Sequence, residues 1–212
     1  QNIQSDLIVI DGDDVKHIKK VLRLNPGDSI TVCDGKGNDY HASIKDIESN
    51  RVIAAILDVY KSGTEPPIEV TLFQGIPKSD KMDFIIQKSV ELGVSRIVPV
   101  ITERTVVKLD SKKDATNKVT RWQRISLEAA KQCNRGFVPR VENPVDYEEA
   151  LKLCQQSYLK IMPYEKENKY NLKKCLYGCD PAKTAVFIGP EGGFSEEEVK
   201  KASASGVKPV TL

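Results

Sequence analysis

The stretch that decides the fold is Thr184-Ala185-Val186-Phe187-Ile188-Gly189-Pro190-Glu191-Gly192-Gly193-Phe194-Ser195-Glu196-Glu197-Glu198-Val199. Its first five residues are a short run rich in apolar residues, which reads as a buried strand. Gly189 to Gly193 is turn chemistry, and Ser195 with Glu198 forms the S-x-x-E pattern that starts a helix. The stretch is therefore strand, loop, helix, and such a loop at a strand's carboxyl end is where open α/β sheets bind ligands. Two adjacent glycines expose backbone to a flat ligand. No Gly-Lys-Ser/Thr follows, and the spacing is not G-x-G-x-x-G, so neither nucleotide fingerprint is present. Glu196, Glu197 and Glu198 suit the helix dipole but oppose a phosphate there. A ligand without phosphates, or with positive charge, fits better; a plain turn is the other reading.

Working outward, strands and helices alternate. Residues 68–74, 96–101, 157–162, 184–188 and 207–212 read as strands. Helices are expected over 80–92, capped by Ser79, over 117–133 and over 195–205. The first shows a stripe of Met82, Ile85, Ile86 and Val90, and the second one of Val119, Trp122, Ser126, Ala129 and Cys133. This alternation predicts an α/β domain with a mainly parallel sheet. Residues 1–66 read differently: a helix over 13–24, then strands over 29–33, 39–47 and 51–60 with Tyr40, Ala42, Ile44 and Asp46 alternating, as in a small barrel. Ser62-Gly63-Thr64-Glu65-Pro66-Pro67 marks the boundary, giving domains 1–66 and 67–212.

Composition is that of an ordinary globular protein, 40% hydrophobic and 29% charged. No membrane span or signal peptide is expected. The five cysteines are odd in number, and the C-x3-C of Cys175 and Cys179 lacks a partner pair, so no metal is expected and reduced thiols in the cytoplasm are. Net charge is +2, but residues 1–66 carry a net of −3 and residues 102–140 a net of +6. The basic block suits phosphate binding or a solvated helix face equally well.

Further stretches occur in a fixed order: Val21-Leu22-Arg23-Leu24, Pro26-Gly27-Asp28, Asp34-Gly35, Lys81-Met82, Gln87-Lys88-Ser89-Val90-Glu91-Leu92-Gly93-Val94, Thr102-Glu103-Arg104-Thr105, Lys108-Leu109-Asp110, Trp122, Ala129-Ala130, Gln132-Cys133, Arg135 and Val138-Pro139. With residues 187–195 they resemble the RsmE family of the SPOUT superfamily of RNA methyltransferases, over nearly the whole chain. The resemblance implies an RNA-binding PUA-like β-barrel followed by a SPOUT domain with a C-terminal trefoil knot, which no periodicity could suggest. It implies S-adenosylmethionine as cofactor, a homodimer, and methylation of N3 of a uridine in 16S rRNA of the small ribosomal subunit. The cofactor loops would be Ile161-Met162-Pro163, then Gly189-Pro190-Glu191-Gly192, then the loop opening at Leu212. Members of the family continue past Leu212 with a Gly and an Arg-rich, Thr-Glu-Thr-containing segment, so the second domain is expected to be truncated here and the knot incomplete.

Uridine N3 carries a proton that must leave as a methyl group arrives, which calls for a base and for stabilisation of negative charge. Glu103 is the candidate base; Arg104 and Arg135 are candidates for the uracil oxygens or a phosphate. Gln132 and Arg135 near one helix end, Lys78 and Lys81 at another helix start, and Arg23 beside Lys16, Lys19 and Lys20 are candidate RNA contacts. Each has a plainer reading: an ion pair for Glu103-Arg104, helix capping for Gln132 and Arg135, solvated lysines elsewhere. His17, His41 and Trp122 read as packing residues. A SPOUT enzyme with another RNA target, or an RNA-binding ribosome assembly factor with a degenerate site, would share these features.

Overall fold

A computed structural model describes residues 2–4, 6–107, 112–177 and 182–212; Lys108-Leu109-Asp110 and Cys179 lie outside the described residues. Contacts divide the chain into two compact units, residues 1–65 with 134–137, and residues 66–133 with 138–212.

The first unit contains β1 (Asn2–Gln4), β2 (Leu7–Asp11), α1 (Asp13–Lys16), β3 (Ser29–Cys33), β4 (Asn38–Ile47) and β5 (Arg51–Lys61). Its strands form an antiparallel sheet in the order β1-β2-β5-β4-β3. Period-two alternation buries Ile8 and Ile10, Ala42 and Ile44, and Val52 and Ala54, with Val15 and Ile18 in the same core. Two details depart from expectation. After the single turn of α1 the backbone widens into a π-helix over His17–Leu22, closed by Arg23 at φ +54 and by Leu24 N–H donating to the Ile18 carbonyl. On β4 the register shifts between Ile44 and Asp46, so alternation breaks and Asp46 is exposed.

Segment 134–137 is stitched into this unit. Gly37 N–H donates to the Gly136 carbonyl at 2.8 Å, the Cys33 thiol donates to the same oxygen at 3.2 Å, and Lys36 bridges Phe137. Burial raises the Cys33 thiol pKa, so the thiol stays a donor.

The second unit contains β6 (Glu69–Gly75), α2 (Lys81–Glu91), β7 (Arg96–Ile101), α3 (Lys112–Gln132), β8 (Arg140–Val141), β9 (Val145–Asp146), α4 (Tyr147–Leu153), β10 (Leu159–Pro163), α5 (Leu172–Leu176), β11 (Lys183–Ile188), α6 (Glu196–Ala204) and β12 (Lys208–Val210). Every ladder is parallel, in the order β12-β10-β11-β6-β7-β8 with β9 also beside β7. Adjacent residues face opposite layers: Leu72 and Ile97 join Met82, Ile86, Val90 and Trp122, whereas Phe73 and Val98 join Tyr147, Phe187 and Phe194. Burial on both faces explains the near-continuous apolar strands. Phe73 and Phe187 stack at 4.5 Å between ring centroids, joining β6 to its neighbour β11. Each such side chain contributes about 2–3 kcal/mol by burial.

The helix starts also differ from the sequence reading. Ser79 does not cap α2; it sits at φ +55, and Asp80 takes the N-cap position without a side-chain bond. Helix α3 begins at Lys112, five residues before the start expected at 117. Helix α4, capped by Asp146 through the Glu149 N–H, and α5 were not anticipated because each is too short to show a period.

Candidate functional site

Parallel pairing puts the carboxyl ends of β6, β7, β10, β11 and β12 along one edge of the sheet, and most of the expected site residues follow those ends. After β11 comes the glycine loop. Gly189 approaches Gly193 so closely that a Cβ on it would lie 2.9 Å from the Gly193 Cα, and Gly193 itself takes φ +67. The loop seats on the end of β6, where a Cβ on Gly75 would lie 2.6 Å from Pro190 Cδ. Beside it, the buried Gln74 amide donates to the Gly75 carbonyl at 2.9 Å and to the Gly189 carbonyl at 3.3 Å. Sequence reasoning missed Gln74; its only signal was a polar residue closing an apolar strand.

Glu191 projects from the loop toward the segment after β6. Its carboxylate accepts from Lys81 Nζ at 2.8 Å and from the Lys78 N–H at 3.2 Å. The Lys81 hydrogen bond, aided by backbone donors, lowers the Glu191 pKa to about 2. The structure thus brings together an expected cofactor residue and two expected RNA contacts; Lys78 takes part through its backbone.

After β7 the chain turns tightly at 102–105, held by the Thr102 N–H and hydroxyl on the Thr105 hydroxyl, both at 2.9 Å. This turn carries Glu103 and Arg104, whose side chains are exposed. Arg104 Nη1 donates to the Gly192 carbonyl, so its guanidinium rests on the glycine loop. The Glu103 N–H donates to Glu198 Oε1 at 2.9 Å.

Buried Ile161 and Met162 and the half-buried Pro163 end β10, paired with Lys208, Pro209 and Val210 of β12. Beyond them Thr211 N–H donates to the Tyr170 carbonyl at 2.7 Å, and Leu212 is exposed. Lys166, just after β10, pairs with Glu196 at 2.7 Å.

Three expected residues do not follow these strand ends. Arg23 belongs to the first unit. Arg135 does too; its side chain is 4% exposed and donates to Glu65 Oε2 at 2.6 Å. Gln132 is exposed at the end of α3. A concavity of about 390 Å³ lined by Glu148, Leu151, Gln155 and Ser205 lies at the other edge of the sheet and contains none of the expected residues. Among the described residues no group of His, Cys, Asp and Glu could hold a metal, and no helix is long and apolar enough to cross a membrane.

Comparison with known proteins fits this geometry. The family model described as RNA methyltransferase domain matches residues 64–212, and the one described as RNA methyltransferase PUA domain matches residues 10–57. Ribosomal RNA small subunit methyltransferase E of Bacillus subtilis is 34% identical over 91% of this chain and 77% of its own length. The protein of that name from Synechocystis is 33% identical over 92% of this chain and 63% of its own. Among solved structures, ribosomal RNA small subunit methyltransferase E from Neisseria gonorrhoeae bound to S-adenosyl methionine superimposes with a TM-score of 0.84 at 35% identity, covering 100% of this chain and 86% of that one. A strand-end glycine loop gripped by an arginine and a lysine-bound glutamate, on a parallel sheet matched by these models and relatives, places the chain in the RsmE family of RNA methyltransferases.

Proposed function

We infer that the chain is an S-adenosylmethionine-dependent methyltransferase that modifies N3 of a uridine in 16S rRNA of the small ribosomal subunit. The observation that carries this reading is the convergence of the 161–163, 189–193 and 210–212 strand ends in a chain of this family. The cofactor fits what these residues offer: backbone-rich walls, glycines where a Cβ would clash, and an acidic helix start unsuited to phosphate. Ile161, Met162, Pro163, Gly189, Pro190, Glu191, Gly192 and Leu212 would hold it, and it would supply an electrophilic methyl group.

The chain's own residues do the rest. Glu103 is exposed beside the loop and accepts the N3 proton. Arg104, anchored by one nitrogen to Gly192, turns its remaining donors toward negative charge building on the uracil oxygens. Lys81, which is 63% exposed, meets the phosphate backbone while bracing Glu191. Arg135 is assigned to the fold instead of the chemistry, because its guanidinium is buried on Glu65. Arg23 and Gln132 are exposed and serve RNA docking, with the first unit as an RNA-binding barrel. A trefoil knot, a homodimer and a cytoplasmic setting belong to the same reading; the run of residues 210–211 beside Tyr164, Tyr170 and Leu172 supports the knot.

Methyl transfer from labelled S-adenosylmethionine to small subunits and to free 16S rRNA, read by nucleoside mass spectrometry, tests this. The expected product is 3-methyluridine. A different methylated nucleoside, or cofactor binding without transfer to either RNA, overturns it.

A further inference from the structure

The acidic first turn of α6 has a role the glycine loop alone does not explain. A capping box needs one glutamate oxygen to reach back to the N-cap N–H. Here Glu198 Oε2 does so, accepting from Ser195 N–H at 2.9 Å, while Ser195 Oγ accepts from Glu198 N–H. The second oxygen, which in an exposed helix would face water, accepts the Glu103 N–H at 2.9 Å. Glu198 is only 6% exposed, and a buried carboxylate is tolerated when its oxygens are bonded. Its main chain is fixed as well, because the buried Tyr147 hydroxyl donates to the Glu198 carbonyl at 2.8 Å. Two residues earlier, Glu196 reaches Lys166 in the segment after β10. The acidic turn therefore ties the glycine loop to the segments that follow β7 and β10.

We propose that Glu198 is a positioning residue for methyl transfer: its carboxylate bridges α6 to the Thr102–Thr105 turn and so holds Arg104 in place on the glycine loop. The role rests on the methyltransferase reading above. Arg104 is one residue from the bridged N–H, and its guanidinium ends on Gly192, so a turn released at Glu103 would carry Arg104 away from the developing charge. A helix cap alone would affect stability and nothing else.

Glu198→Gln keeps the shape but leaves one acceptor for two N–H groups. The Ser195 contact lies within one helical turn and is retained, so Glu103 loses its partner. Exchange of the Glu103 amide hydrogen is expected to accelerate about tenfold or more, with the Ser195 amide unchanged. In the same variant kcat should fall about tenfold to a hundredfold, while cofactor affinity by calorimetry shifts less than about threefold. Glu198→Asp, too short to reach Glu103 yet competent as a cap partner, should behave alike. Because Glu198 acts through the turn that carries Glu103 and Arg104, Glu198→Gln should cost less in the Arg104→Ala background than it costs in the wild type. Ser126→Ala, which deletes a buried hydrogen bond to the Pro139 carbonyl elsewhere in this unit, supplies the control that lowers Tm without changing kcat. An unchanged kcat or Glu103 exchange rate in both Glu198 variants, or a Glu198→Gln loss as large in the Arg104→Ala background as in the wild type, overturns the positioning role. A wild-type chain that binds cofactor but transfers no methyl group overturns the methyltransferase reading itself.

Discussion

Gly75 shows how little space separates the strand ends. A methyl group there would sit 2.6 Å from Pro190 Cδ and 2.7 Å from Pro190 N, and Pro190 cannot rotate away because its ring is part of the backbone. Gly75→Ala should therefore push the glycine loop outward, costing about 1–3 kcal/mol by urea titration. Affinity for S-adenosylmethionine, read by calorimetry, should weaken about tenfold or more. Glu191 permits a prediction in pH. Its pKa is lowered to about 2 by the Lys81 hydrogen bond, so the contact with Lys81 is complete above the ordinary carboxylate range and is lost as pH falls through about 2. Lys81→Ala should return the Glu191 titration, followed by carboxyl NMR shifts, toward the ordinary glutamate value, with Glu191 still ionised at neutral pH. Much of this site could be read in the sequence, because glycines and a capping box are local signals. Gln74, and the second oxygen of Glu198, could not. Their partners are 115 and 95 residues away, and one-dimensional spacing carries no such distance.

At the scale of elements, period and punctuation located the long strands and helices, since β6, β7 and β11 are buried on both faces and α2 and α3 each bury one stripe. What escaped was the geometry of junctions. Ser79 looks like an N-cap by residue type, yet the chain enters α2 through a left-handed turn at φ +55, where a serine side chain is strained and glycine is not. Ser79→Gly should thus be neutral or stabilising by up to about 1 kcal/mol, and Ser79→Val should be destabilising, both read from thermal unfolding. Loss of stability in the glycine variant, on the scale of a deleted cap, would instead place the Ser79 hydroxyl in the helix start. The π-helical stretch is a second junction of this kind. Lys16, Lys19, Lys20 and Arg23 suggest a helical stripe by their spacing, but the backbone there widens into a π-helix closed by the left-handed Arg23, so the 3.6-residue period does not run through it.

For the molecule as a whole, the informative feature is that the first unit is assembled from two separate stretches of chain. The turn signals at 62–67 mark where the chain leaves that unit, and the structure adds a return over 134–137. Nothing local announces the return, because it is built from pairs such as Glu65 with Arg135 and Thr64 with Gly136. Glu65 holds it twice, accepting from Arg135 at 2.6 Å and from the Phe137 N–H at 3.0 Å. Gly136 is close-fitting as well, since a Cβ there would lie 2.1 Å from Ser62 Cβ. Removing one partner of a buried ion pair strands the other. Arg135 keeps further contacts and Glu65 is 26% exposed, so the loss falls below that of a fully buried pair. Glu65→Ala should lower stability by about 2–3 kcal/mol in urea titration. If Arg135 serves the fold, cofactor affinity and kcat of the folded Glu65→Ala protein should stay at wild-type values. A fall in kcat at unchanged stability would return Arg135 to the chemistry, because the guanidinium would then depend on Glu65 for its placement on RNA and not for the integrity of the first unit.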